Sequence, residues 1–143
     1  SANTVVNAIL KVKSIKAKEK EIPMQVTTLL PQRVSVDIGD MGVLYGNLLD
    51  NALEATQKVT SENPWIHVKF IRRNRLFYVE IENSAEEAVK VENGQLRSQK
   101  EENGLHGYGM KNVREIVEKH EGDLQYITTD TSFLVSVSIY DMK

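Results

Sequence analysis

Leu44-Tyr45-Gly46-Asn47-Leu48-Leu49-Asp50-Asn51-Ala52-Leu53-Glu54-Ala55 is the stretch on which the reading of this chain turns. Asn47, Asn51 and Glu54 fall at i, i+4 and i+7, so a helix lines two amides and a carboxylate along one stripe. Around the stripe stand Leu44, Leu48, Leu49, Ala52, Leu53 and Ala55, a set suited to burial. Unpaired buried amides cost roughly 1–3 kcal/mol each, so such a row implies something polar to hold. An amide oxygen is a hard, neutral ligand for Mg2+, and the whole amide also bonds phosphate or water. The plainer alternative is a wet polar edge. Against it stands the poor helix propensity of Asn, which appears twice in one stripe.

Outward from this helix, expected over about 40–59 with Asp37 or Asp40 as its N-cap, the pattern gives neighbours on both sides. Residues 3–20 have a helical period that places Val5, Ile9, Val12, Ile15 and Ala17 on one face, with lysines opposite. Ile22-Pro23 ends that helix. Residues 24–30 read as a strand closed by Pro31. Residues 65–73 and 76–83 alternate strictly about Asn74-Arg75, an antiparallel hairpin with Ile66, Val68, Phe70, Phe77, Val79 and Ile81 on the apolar side. From Ser84 to His106 the chain is polar and almost aperiodic, the signature of a lid or a disordered loop. A helix with Met110, Val113 and Val117 on its face then runs to about His120, with Gly122 at the expected stop. Residues 124–129 and 133–140 close the chain as strands, Phe133, Val135, Val137 and Ile139 facing in. This order specifies an α/β (α+β) two-layer sandwich: a mixed, mostly antiparallel sheet with helices on one face.

A chain of 143 residues suits one domain with a real core. The net charge of -2 gives no electrostatic case for nucleic acid or a membrane surface. Cysteine is absent, which excludes disulfide and thiol chemistry. No apolar run approaches the ~20 residues needed to span a bilayer. The chain starts straight into a helical pattern and is read as a piece of something longer.

Two further constellations carry chemistry. Gly104-Leu-His-Gly-Tyr-Gly-Met-Lys-Asn112 is a glycine-rich loop feeding a helix, whose free N–H groups and macrodipole attract phosphate. It lacks the Lys-Ser/Thr ending of a P-loop and the third glycine of a dinucleotide fingerprint. Glu80-Ile-Glu-Asn-Ser84 is where a hairpin strand runs into the lid; Asn83 and Ser84 there either read a ligand or simply end the strand. The three histidines lack metal-ligand spacing, and only His106 adjoins the glycine loop.

Together these pieces resemble the ATP-binding catalytic domain of the GHKL superfamily, which includes histidine kinases and gyrase-type topoisomerases. Asn47-Leu-Leu-Asp-Asn51-Ala looks like the family's N box, and Gly107-Tyr-Gly109-Met-Lys-Asn-Val looks like its second glycine box. The resemblance covers nearly the whole chain. Where most members have Asp-x-Gly-x-Gly, this chain has Glu82-Asn83-Ser84-Ala85-Glu86. With that Asn-Ser site, the sequence resembles the peptide-sensing (quorum-sensing, accessory-gene-regulator type) subfamily of bacterial sensor histidine kinases.

The resemblance implies ATP and Mg2+ as ligands. Asn51 would bind the metal, with Asn47 as its catalytic companion one turn earlier. Asn83, Ser84, His106, Gly107, Tyr108, Gly109, Met110 and Lys111 would bind the nucleotide. It further implies residues 1–20 as a lead-in helix from a dimerisation region and 21–143 as the ATP-binding domain. The partners would be the phosphoacceptor helices of the same protein and a downstream response regulator. The domain would be the cytoplasmic part of a homodimeric inner-membrane protein. The rivals are an anti-sigma-factor-type serine kinase, an ATP-gated clamp and a nucleotide-binding module without catalysis.

Overall fold

The structure, a computed structural model, describes residues 2–29, 38–57, 63–85, 90–92, 95–97 and 107–140. In chain order these form α1 (Ala2–Glu19), β1 (Met24–Leu29), α2 (Ile38–Gln57), β2 (Ile66–Arg73), β3 (Leu76–Ser84), β4 (Lys90–Glu92), β5 (Gln95–Arg97), α3 (Gly107–Lys119), β6 (Asp123–Thr128) and β7 (Ser132–Tyr140). The main sheet has the order β1-β2-β3-β7-β6. β1 lies parallel to β2 at one edge, and every other pair is antiparallel.

The period-2 alternation decides which face is covered. Ile66, Val68 and Phe70 of β2 pair laterally with Asn83, Ile81 and Val79 of β3, and those with Phe133, Val135 and Val137 of β7. All nine are buried and form the floor of the core. Met41, Leu44, Tyr45, Leu48, Leu49, Ala52 and Leu53 of α2 and Met110, Val113, Ile116 and Val117 of α3 form its roof. The Tyr45 ring stacks on Phe70 with centroids 4.2 Å apart. The opposite sheet face carries Lys69, Glu80 and Ser136, with Tyr78 bonded to Glu80 at 2.9 Å. Burial, reinforced by that bond, pushes the Tyr78 phenol up to about 12. Two layers, helices on one face only and a mixed sheet are what the hydrophobic periods demand.

Four details differ from the sequence reading, each for a local reason. The face of α1 that packs on α2 is Val6, Leu10 and Ala17, whereas Val12 and Ile15 are 52% and 51% exposed. α1 is apolar on two sides, and periodicity does not say which one is covered. Asp40 is not a cap but lies in the first turn of α2, and Asp37 falls outside the described residues. The stretch after Ser84 contains a small antiparallel ladder, with Lys90 opposite Arg97 and Glu92 opposite Gln95. Asn93-Gly94 in the sequence between them is a strong hairpin signal. The left-handed residue that ends α3 is Glu121 (φ 53), not Gly122. Glu121 N–H donates to the Glu118 carbonyl at 3.0 Å and Gly122 N–H to that of Val117 at 2.8 Å, so Gly122 stands one place later. A Cβ at Gly122 would lie 2.5 Å from the Ser138 carbonyl oxygen, so the glycine is required by close approach to β7.

Candidate functional site

α2 turns its leucines to the sheet, so the stripe of Val43, Asn47, Asn51 and Glu54 falls at the edge of the core. Asn47, Asn51 and Glu54 are half-buried there. The Asn47 amide nitrogen donates back to the Val43 carbonyl at 2.8 Å, one turn earlier. That bond fixes the side chain through its nitrogen and leaves the oxygen as its nearest atom to Gly109. A Cβ built on Gly109 would lie 3.3 Å from Asn47 Oδ1 and 3.8 Å from its Cβ and Cγ. The amide stripe and the glycine-rich segment, 62 positions apart in the chain, therefore meet at van der Waals distance.

The helix begins earlier than the sequence suggested. α3 starts at Gly107, so both glycines lie in its first turn rather than in a loop before Met110–Lys111. Among the described residues, the N–H groups without intrahelical carbonyl partners are then those of Gly107, Tyr108 and Gly109. These are donors, and the positive end of the helix dipole adds to them. Met110 is buried and anchors this turn to the core; Lys111 is exposed at its rim. The side chain of Tyr108, and His106 altogether, lie outside the described residues, as do 86–89, 93–94 and 98–106 of the expected lid.

The far end of α3 is tied to the same helix. Asp40, two turns before Asn47, takes the Lys119 ammonium at 2.9 Å and the His120 ring nitrogen at 2.8 Å on one carboxylate oxygen. These bonds, that of Lys119 first, hold the Asp40 carboxyl below its usual value. α3 thus crosses α2 in the reverse direction, pinned at Asp40 and meeting Asn47 with its N-terminus.

Asn83 lies on the inner face of β3, 1% exposed, its amide nitrogen donating to the Ser84 carbonyl at 2.9 Å. Ser84 Oγ accepts from the Trp65 N–H at 3.0 Å. Ser84 thereby closes the mouth of the β2–β3 ladder, and Asn83 presents an amide beneath it. Trp65 sits half-buried before β2, its ring 4.6 Å from that of His67. Asp50, the carboxylate next to the site, points away: Lys13 of α1 holds it at 2.5 Å. The sequence left this pairing unseen, since nothing in residues 3–20 marks Lys13 among the other lysines of α1.

A two-layer α/β sandwich, with helical amides facing the N-terminal turn of a crossing helix, offers an arrangement suited to an anion. Residues 36–140 match the GHKL domain, and the chain belongs to that family. The fold is similar to the catalytic domain of histidine kinase ThkA in a nucleotide-free form (18% identity, TM-score 0.72, covering 97% of this chain and 91% of that one). It is similar also to histidine kinase AdeS of Acinetobacter baumannii (16%, 0.71, 99% of this chain and 65% of that one). A third likeness is to the mycobacterial sensor histidine kinase MprB (17%, 0.70, 96% and 94%). No functionally curated protein matches the sequence.

Proposed function

We propose that this chain is the ATP-binding catalytic domain of a bacterial sensor histidine kinase, donating the γ-phosphoryl group of ATP to a histidine on a separate dimerisation domain. An ATP-binding kinase-domain role is supported by GHKL membership and by the likeness to histidine kinase catalytic domains. The observation that carries the reading is the contact between Gly109 and Asn47. A side chain larger than hydrogen at 109 would fill the space between the carboxamide and the α3 amides.

The residues fit the expected ligands. Asn51 is the residue assigned to Mg2+ through its amide oxygen, an oxygen donor of the kind that ion accepts. With its nitrogen engaged by Val43, Asn47 offers an acceptor, suited to water on the metal. The α3 N–H groups are assigned to the phosphates, with Lys111 adding charge at the rim. Asn83 Oδ1 is assigned the adenine amino group. Bound Mg2+ would neutralise the phosphate charge that phosphoryl transfer must stabilise. Asn47 cannot serve as a base at neutral pH, so this position does not activate water, and transfer to an imidazole is favoured over hydrolysis.

The Asn-Ser pair at 83–84 supports placement in the peptide-sensing subfamily. Residues 1–20 are assigned as the lead-in from a dimerisation region. In this reading the parent is a membrane homodimer and the domain cytoplasmic, with a response regulator downstream. A binding module without catalysis is the second reading. It is favoured by one feature, the involvement of both Asn83 and Ser84 in hydrogen bonds of their own strand end.

Calorimetry with Mg-ATP tests the site. Asn51→Ala is expected to abolish binding while circular dichroism stays native. Unchanged affinity in the folded variant would reject the metal assignment. Absence of any shift with ATP, ADP or GTP in the unaltered chain would favour the module.

A further inference from the structure

Lys13 occupies a place where the packing of α1 calls for an apolar side chain. Val6, Leu10 and Ala17 are buried in the core, and Lys13 falls between the last two in the 4, 3, 4 spacing of that stripe. Its side chain is 13% exposed, whereas Lys11, Lys16 and Lys18 of the same helix are all exposed. Withdrawing an ammonium from water is costly, and well-packed apolar side chains in place of a buried ion pair are often as stable or more so. Stability of the fold therefore gives no reason for a lysine here. Its partner is Asp50 of α2, 2.5 Å away, whose side chain is 47% exposed.

The place of Asp50 on α2 gives the reason. It stands three residues after Asn47, four before Glu54 and one before Asn51. Residues three and four apart on a helix are neighbours, about 5–6 Å between Cβ atoms. Released from Lys13, the carboxylate would stand beside the amide stripe as a negative charge next to that of Glu54. A triphosphate held at the stripe would be repelled by it across a partly exposed helix edge, where solvent weakens the force without abolishing it. Lys13 offsets that charge and holds the carboxylate on the α1 side. We infer that Lys13 is a positioning residue of the nucleotide site, masking Asp50 so that the triphosphate meets amides rather than a carboxylate. The inference rests on the nucleotide reading above and adds to it a residue of α1, a helix that supplies none of the binding groups.

Calorimetry on the whole chain with Mg-ATP, Mg-ADP and adenosine tests the mask. Lys13→Met keeps most of the side chain's bulk and removes its charge. At low salt it is expected to weaken Mg-ATP about three- to tenfold, Mg-ADP less and adenosine not at all, and the deficit is expected to shrink as salt is raised. Adding Asp50→Asn to Lys13→Met is expected to restore the affinity of the unaltered chain, since no charge is then left to mask. A merely structural Lys13 would weaken all three ligands alike, keep the deficit in salt and gain nothing from Asp50→Asn. That pattern would overturn the proposal, as would unchanged Mg-ATP affinity in folded Lys13→Met. Should Lys13→Met not fold, Asp50→Asn with Lys13 in place decides: affinity kept or raised supports the mask, and affinity lost overturns it. Absence of Mg-ATP binding by the unaltered chain would overturn the nucleotide reading and the proposal with it, whereas a failure confined to the variants leaves that reading intact.

Discussion

At Gly109 a methyl group would come within 3.3 Å of Asn47 Oδ1; at Gly122 it would come within 2.5 Å of the Ser138 carbonyl oxygen. The first neighbour is the end of a side chain that gives a few tenths of an ångström. The second is backbone in the interior of β7, with Ile139 Cγ1 at 3.0 Å closing the alternative direction. The two substitutions therefore separate function from stability. Gly109→Ala replaces a helical glycine, a change that favours the helix by up to about 1 kcal/mol, while crowding the space beside the amide. Its melting temperature is expected to hold or rise and its Mg-ATP affinity to fall about tenfold by calorimetry. Gly122→Ala is expected to cost roughly 1–3 kcal/mol in urea unfolding, with nucleotide affinity kept. Both glycines were visible in the sequence, but their reasons were not. Gly122 reads as a helix stop because α3 ends there, and only the register against β7 reveals that Glu121 takes the left-handed turn.

Among the elements, α3 is the one whose placement depends on contacts distant in sequence. Its N-terminus faces Asn47 because its C-terminus is fastened at Asp40 by Lys119 and His120. The carboxyl of Asp40 is held below its ordinary value, chiefly by the Lys119 bond. A depressed acid contributes stability that is complete above its unfolded value of 3.8 and is lost as pH falls through the lower folded value. Acid unfolding monitored below about pH 4 should therefore be less steep for Asp40→Asn than for the unaltered chain. At neutral pH that substitution is expected to cost no more than about 1 kcal/mol, since Lys119 is largely exposed and the pair is screened. A weakened Mg-ATP affinity alongside would show that the fastening also aims the helix. This staple was illegible in the sequence: Asp40 resembles a cap and His120 a helix-end cation, and no spacing rule joins residues 80 apart. The elements themselves were legible, because β2, β3, β6 and β7 alternate and α2 and α3 have single apolar faces. α1 misled for the contrary reason, having two.

For the molecule as a whole, α2 is shared by everything: it covers β2 and β3, receives α1 along one side, and meets α3 along the amide stripe. The candidate site is thus made where two helices converge, and a ligand there would bind only the folded chain. Linkage then ties occupancy to global stability. Mg-ATP at a hundred times its dissociation constant would add about 2.7 kcal/mol, which in a domain of this size raises the melting temperature by roughly 10 °C. Asn51→Ala is expected to lose that increment and keep the ligand-free melting temperature. Binding should not be followed by self-modification. The groups gathered at the candidate site would position and neutralise a triphosphate, and among the described residues no histidine stands with them: Asp50 is turned to Lys13, and His67 and His120 lie on the open sheet face and at the far end of α3. Incubation with γ-labelled ATP is therefore expected to leave the 143-residue chain unlabelled while the thermal shift is intact. Stoichiometric label on the isolated chain would contradict an acceptor held on a separate domain. A full thermal shift without label would mean that this chain holds the binding groups and not the acceptor.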